Sequence, residues 1–466
     1  MRQLFGTDGV RGVAGRDLDA RLAMDLAVAA AEVLGRTNAF VAARSPRRRA
    51  VAIIGRDSRV SGEFLEAAVV AGLAGSGVDV LRLGVVPTPA VAHLTAQLDA
   101  EFGVMLSASH NPAPDNGIKF FARGGTKLPD EVEDEIEDQL AGQARGGVPE
   151  AGFGRVIDAA GETEGYLEYL LGTVGLADAT GGTAAAGGPG LLAGMRVVVD
   201  CAHGSAYLLA PRLLRAAGAE VTAIGVDPDG TNINADCGST SLGALRSTVT
   251  ELGADAGLAF DGDADRCLAV DASGEVIDGD QILTILALAL KQAGRLTADT
   301  VVATVMSNLG FRLAMREAGI AIVQTPVGDR HLIAAMLQGG YVLGGEQSGH
   351  VIMLDHAKTG DGMLTGLHLL AVVARSGQPL AKLAQAMTKY PQVLVNVHGV
   401  DKAKVAASHQ LTAAVATAES ELAESGRVLV RPSGTEPAVR VMVECTDSRR
   451  AQAIADQLAD LVRSVG

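Results

Sequence analysis

Disulfide chemistry has little to work with in this chain. Four cysteines, Cys201, Cys237, Cys267 and Cys445, are spread over 466 residues with no Cys-x-x-Cys spacing. A fold of this length needs no covalent staples, so the four read as free thiols in a reducing compartment. Long apolar runs are also missing: the longest, Ile282 to Leu290, is too short to span a bilayer, and Met1 to Gly6 lacks the apolar core of a signal segment. The expectation is a cytoplasmic protein with no membrane partner. Basic charge is the third shortage, with 39 Lys and Arg against 54 Asp and Glu and a net charge of −15. A duplex binder needs a basic stripe, so nucleic acid is not expected as a ligand. Seven of the acidic residues crowd into Asp130 to Asp138. There Val132, Ile136 and Leu140 recur every four residues, which predicts a helix with one apolar stripe and solvated acidic faces.

What remains is a globular composition, 48% hydrophobic and 20% charged. The length alone suggests about three domains. One pattern occurs three times: an apolar strand, a polar loop, an Ala/Leu-rich helix closing on glycine, and a second apolar strand. It runs from Val51 to Ile54 through Gly77 to Val78–Leu81, from Val197 to Val199 through Gly218 to Glu220–Ile224, and from Val301 to Val305 through Gly319 to Ile320–Val323. Continuous apolar strands alternating with helices predict α/β domains whose sheets are mostly parallel and covered on both faces. The last segment differs. Strands at 393–397, 427–430 and 439–443, with a final helix that Asp447 could cap and that buries Ala451, Ile454, Leu458 and Leu461, predict a smaller α+β domain with an antiparallel sheet. The predicted division is 1–160, 161–275 and 276–382 for three related α/β domains and 388–466 for the fourth, arranged around a central cleft. The basic loop Arg44 to Arg49 and the Gly/Ala/Thr segment Thr180 to Gly190 can bury no core face and read as surface loops.

Four stretches carry chemistry. The apolar run Val104 to Leu106 stops at Ser107-Ala-Ser109-His110-Asn-Pro112, a strand delivering hydroxyls to a loop at its carboxyl end. A serine-rich turn is the plain alternative. A second strand, Leu258 to Phe260, delivers Asp261, Asp263 and Asp265 at alternate positions, with Arg266 behind them. Carboxylates at that density call for a hard cation, Mg²⁺ or Ca²⁺. An EF-hand is excluded, because Arg266 and Ala272 stand where its glycine and glutamate belong. An aspartyl-phosphate enzyme with Asp261 as nucleophile stays open. The third stretch, Gly344 to His350, sets Glu346 and Ser348 between glycines, which suits a polyhydroxy ligand and equally suits a capped turn. The fourth, Arg431-Pro-Ser433-Gly434-Thr435-Glu436 with Arg440, combines guanidinium forks, hydroxyls and a glycine turn as a phosphate clamp would.

Together with Phe5-Gly-Thr-Asp-Gly-Val-Arg11-Gly12 and Asp115-Asn-Gly-Ile-Lys119-Phe120, these stretches stand in one order along the chain. In that order the sequence resembles the α-D-phosphohexomutase superfamily, and Gln347 and Gly434 resemble its glucosamine branch. Phosphoglucomutase or phosphomannomutase activity is the alternative within the family. His331 stands where the family would lead one to expect tyrosine, and the segment near 185 looks like an insertion. The resemblance implies an enzyme that carries a required phosphoryl group on Ser109. One Mg²⁺ per chain would be held by the phosphoserine and by Asp261, Asp263 and Asp265. It implies Lys119 as general base, His110 and Arg11 near the phosphate, Arg266 supporting the metal loop, and Glu346, Ser348 and His350 on the sugar. Arg431, Ser433, Gly434, Thr435 and Arg440 would take the phosphate. The implied reaction interconverts glucosamine 6-phosphate and glucosamine 1-phosphate through a 1,6-bisphosphate, feeding UDP-N-acetylglucosamine synthesis. A homodimer is a family-level expectation only.

Overall fold

The computed structural model describes residues 4–6, 8–36, 49–142, 152–175, 190–432 and 438–466. Of the two surface loops read from composition, only Arg49 and Gly190 fall among these, so both loops lie outside the described residues. The chain forms two compact units. One comprises 1–305 and 322–384, the other 306–321 and 385–466.

Among the described residues, the first unit contains three sheets. In the largest, strand Val51–Arg56 lies parallel to Asp79–Val85 on one side and to Phe102–Leu106 on the other. Its interior residues are buried on both faces, as an unbroken apolar run requires. The sheet is mixed, because Phe102–Leu106 turns back antiparallel to Asp115–Ala122, which pairs antiparallel with Gly9–Val13. That hairpin delivers Ser109, Lys119 and Arg11 to the same end of the sheet. Helix Asp130–Ala141 forms where the acidic segment predicted it, with Ile136 buried and Val132 and Leu140 half-buried.

The second sheet has Arg196–Asp200 between parallel neighbours Glu220–Ile224 and Ala256–Phe260, with Cys267–Asp271 antiparallel beyond. Asp261 to Arg266 make the turn between the last two. In the third sheet, Thr300–Thr304 runs parallel to Leu343–Gly345, which turns antiparallel into Val351–Met353. Glu346 to His350 are that turn. The repeated units close as predicted, with Gly77, Gly218 and Gly319 at φ of 86°, 102° and 62°.

The second unit is a three-stranded antiparallel sheet with Ala438–Cys445 in the centre, between Gln392–His398 and Gly426–Pro432. Helices His409–Leu422 and Ser448–Val465 pack on it around Leu411, Leu422, Val441, Val443 and Leu458. Asp447 caps the last helix, accepting from Arg449 N at 2.9 Å. Helix Leu309–Glu317 belongs to this unit as well. The buried Glu444 binds its amino end, accepting from Leu309 N at 2.8 Å and from Arg427 Nε at 2.6 Å.

Candidate active site

The loop after Phe102–Leu106 is held from beneath by one arginine. Arg59, fully buried, pairs with Asp57 at 2.9 Å. Its guanidinium also donates to the carbonyls of Pro112 at 2.5 Å, Asp115 at 2.9 Å, Asn111 at 2.7 Å and Ser109 at 3.0 Å. Asp57 accepts from Ser107 Oγ at 2.6 Å, and Ser107 Oγ in turn accepts from Ser109 N at 2.9 Å. Asn234 adds a second clamp, its Nδ2 reaching Ser109 O at 2.9 Å. These bonds keep Ser109 in the left-handed region at φ 53°, a conformation a non-glycine residue holds only when its surroundings over-determine it. The result turns the Ser109 hydroxyl toward the aspartate turn.

Ser109 Oγ donates to Asp261 Oδ2 at 2.7 Å and lies 3.2 Å from His110 Nδ1. A glycine at 262 makes this approach possible, because a β-carbon there would stand 2.6 Å from Ser109 O. Asp261, Asp263 and Asp265 are all buried, and each offers an oxygen within 4.8 Å of the others'. Among the described residues, Asp263 Oδ1 and Asp265 Oδ1 are buried without a hydrogen-bond partner. Burial, reinforced by Asp265 and Asp263, pushes the Asp261 carboxyl well above the usual range. Three crowded carboxylates with unpartnered oxygens fit a divalent hard cation, which would relieve the repulsion.

Cations ring this turn. Lys119 Nζ pairs with Asp263 at 2.8 Å and with Asp8 at 2.8 Å. Burial alone would lower its pKa, but the two carboxylates raise it, so the amine is an ammonium. Arg11 also pairs with Asp8. Arg266 donates its backbone N–H to Asp261 Oδ1 at 3.2 Å, with Nε 3.8 Å from Asp265. His110 is neutral: burial, then Arg266 and Arg11, bring its pKa down to about 4. Thr88, at the start of helix Thr88–Gln97, donates to Asp263 Oδ2 at 2.6 Å.

The glycine-flanked turn of the third sheet reaches the same place. His350 is buried, with Nδ1 3.6 Å from Asp265. Burial opposes its charge, yet Asp265, Asp329 and Glu346 raise its pKa to about 9. Glu346 accepts from Gly328 N at 3.2 Å and stands 3.5 Å from Ser348 Oγ. His331 is exposed on the helix that follows Gly328.

The fourth stretch lies in the other unit. Arg431 and Arg440 are opposite one another on paired strands, while Ser433, Gly434 and Thr435 lie outside the described residues.

Reading the sequence missed Asp57, Arg59, Thr88 and Asn234. Asp57-Ser-Arg59 follows the apolar strand Val51–Arg56 as Ser107 follows Phe102–Leu106, so the same strand-end argument pointed there. Thr88 and Asn234 carried no such signal.

The sequence matches the family described as phosphoglucomutase/phosphomannomutase in four parts: alpha/beta/alpha domain I over 2–145, domain II over 186–274, domain III over 278–390 and the C-terminal domain over 394–461. A relative from Thermobifida fusca named phosphoglucosamine mutase is 62% identical, with 99% of this chain and 98% of that protein covered. The crystal structure of a phosphoglucomutase/phosphomannomutase family protein from Burkholderia thailandensis has a TM-score of 0.80 at 25% identity, covering 100% of this chain and 98% of that one. N-acetylphosphoglucosamine mutase of Aspergillus fumigatus, solved with GlcNAc-6P and magnesium, shares the fold with a TM-score of 0.61 at 21% identity, covering 81% of this chain and 92% of that one. No described helix is long and apolar enough to cross a membrane.

Proposed function

Because the chain belongs to the phosphoglucomutase/phosphomannomutase family, we propose that it is a phosphohexomutase interconverting glucosamine 6-phosphate and glucosamine 1-phosphate, with Ser109 as the phosphorylated residue. The observation that carries this reading is the 2.7 Å contact of Ser109 Oγ with Asp261 in the three-aspartate turn. The amino-sugar substrate is taken from the relative in Thermobifida fusca, and Mg²⁺ from the chemistry of the turn and from the magnesium-bound Aspergillus protein.

Asp261, Asp263 and Asp265, with the phosphate on Ser109, would hold the ion. Its chemistry there is to offset the charge of the phosphate ester and of the transferring phosphoryl group. The chain's own residues do the rest. In the first transfer the P–O bond to Ser109 breaks, a P–O bond to the sugar's 1-oxygen forms, and the 1-hydroxyl proton ends on the freed Ser109 Oγ. In the second, the bond between phosphorus and O6 breaks, Ser109 Oγ gives up its proton as it regains the phosphoryl group, and O6 takes that proton. Between the two the 1,6-bisphosphate turns over.

Arg11 and the Lys119 ammonium supply positive charge beside the serine, where charge stabilisation does most of the work. The base role expected of Lys119 requires its proton to leave first, against the pull of Asp263 and Asp8. Neutral His110, 3.2 Å from Ser109 Oγ, is suited to orient that oxygen. Arg266 steadies the turn through its backbone N–H to Asp261. Glu346 and Ser348 present an acceptor and a hydroxyl for the sugar, and His350 a cation at its edge. Arg431, Ser433, Gly434, Thr435 and Arg440 are assigned to the phosphate that is not reacting. The four-domain division at 1–160, 161–275, 276–382 and 388–466, cytoplasmic residence and a homodimer belong to the same proposal, the last testable by light scattering.

Ser109→Ala should abolish isomerisation in the presence of Mg²⁺. Substantial residual turnover would refute the assignment of the nucleophile. A phosphoenzyme labile to hydroxylamine, with free phosphate accumulating, would point instead to Asp261. Side-by-side rates with glucosamine, glucose and mannose phosphates decide between the amino-sugar reading and phosphoglucomutase or phosphomannomutase activity.

A further inference from the structure

Three residues outside the proposed chemistry join its parts. Asp8 accepts ion pairs from Lys119, Arg11 and Lys127. Lys127, on the short strand Thr126–Lys127, also pairs with Asp329 at 2.5 Å, with only 19% and 14% of their side chains exposed. Asp329 opens the helix Asp329–Gly339, where the helix dipole favours a carboxylate. It stands 3.9 Å from His350 Nε2, on the side of the ring opposite the contact with Asp265. Traced in full, the charges alternate around a closed circuit: Asp263, Lys119, Asp8, Lys127, Asp329, His350 and Asp265. Both ends of the circuit lie in the aspartate turn.

We propose that Asp8, Lys127 and Asp329 are positioning residues, a charge bridge that holds the sugar-facing turn at His350 in register with Lys119 and the phosphoserine loop. Lys127 lies on a strand of the first sheet and Asp329 on a helix some two hundred positions later in the chain, and the neighbouring pair of Arg330 with Asp130 joins the same two regions. Ion pairs at low exposure interact more strongly than surface pairs because water screens them less. Displacing reacting groups by about an ångström can cost on the order of a hundredfold in rate, so the bridge acts on turnover without touching substrate.

This inference rests on the mutase reading. The test compares Lys127→Met, Asp329→Asn, the double variant and Lys127→Arg with the unaltered chain, on whichever hexose phosphate that chain isomerises. Lys127→Met and Asp329→Asn should each lower kcat by about tenfold or more. The double variant should be no slower than the slower single variant, and Lys127→Arg should recover a substantial part of the rate. Full activity in Lys127→Met, multiplying losses in the double variant, or no recovery in Lys127→Arg would overturn the bridge. Thermal unfolding is followed alongside; if Lys127→Met does not fold, Asp329→Asn, which keeps size and polarity, decides alone by its kcat. Absence of isomerisation by the unaltered chain would sink the mutase reading and the bridge together, whereas an active chain with indifferent variants would sink the bridge only.

Discussion

Two histidines in one site are driven to opposite charge states by their neighbours. His110 is half-buried beside arginines, and its pKa falls to about 4. His350 is more deeply buried yet faces Asp265, Asp329 and Glu346, and its pKa rises to about 9. In the metal-free protein, NMR titration should therefore find His110 neutral at pH 6 and His350 charged at pH 8. Coincident midpoints near the ordinary value of about 6.5 would contradict both assignments. The linkage has opposite signs. The His350 contribution to stability is complete below about pH 6.5 and is lost as pH rises through about 9, whereas that of His110 is present above about 6.5 and is lost as pH falls through about 4. Sequence made both histidines visible as strand-end residues, but their charge states depend on side chains brought from other sheets.

At the scale of elements, the helix Leu309–Glu317 keeps its place within the third repeated domain while its amino end is bound by a residue of the C-terminal sheet. It follows the strand Thr300–Thr304 as the repeat predicts, yet it groups with the C-terminal sheet. The cause is Glu444, fully buried, whose carboxylate accepts from the helix's first N–H and from Arg427. Glu444→Gln should lower the stability of this unit by about 3 kcal/mol, since it removes the charge of a buried carboxylate from its ion pair with Arg427. Denaturant unfolding followed by a probe on the C-terminal sheet would measure it. A change below about 0.5 kcal/mol, the size expected of an ordinary surface substitution, would contradict this account of the helix. No pattern of apolar residues marks a glutamate in a strand as the anchor of a helix more than a hundred positions earlier.

For the molecule as a whole, the aspartate turn works against folding, because three buried carboxylates repel one another. A cation that binds them only in the folded chain must stabilise the fold, by about 2.7 kcal/mol at a hundredfold excess over its dissociation constant. Chelation should abolish turnover and lower the unfolding temperature, and added Mg²⁺ should restore both. An unfolding temperature indifferent to Mg²⁺ would separate the turn from metal binding.

The repeated strand and helix patterns, the antiparallel final segment, the acidic helix with Ile136 inward, the Asp447 cap and the strand-end loops with Ser109 and the three aspartates were all set by the sequence, because each is a local matter of periodicity, turn chemistry and side-chain type. What folding alone decided is which distant groups meet: Arg59 under the serine loop, Asn234 and Thr88 against it and the aspartate turn, Asp8, Lys127 and Asp329 joining one turn to another. Such contacts depend on how sheets stack and which strand ends face each other, and spacing along a chain carries no record of distance across a fold.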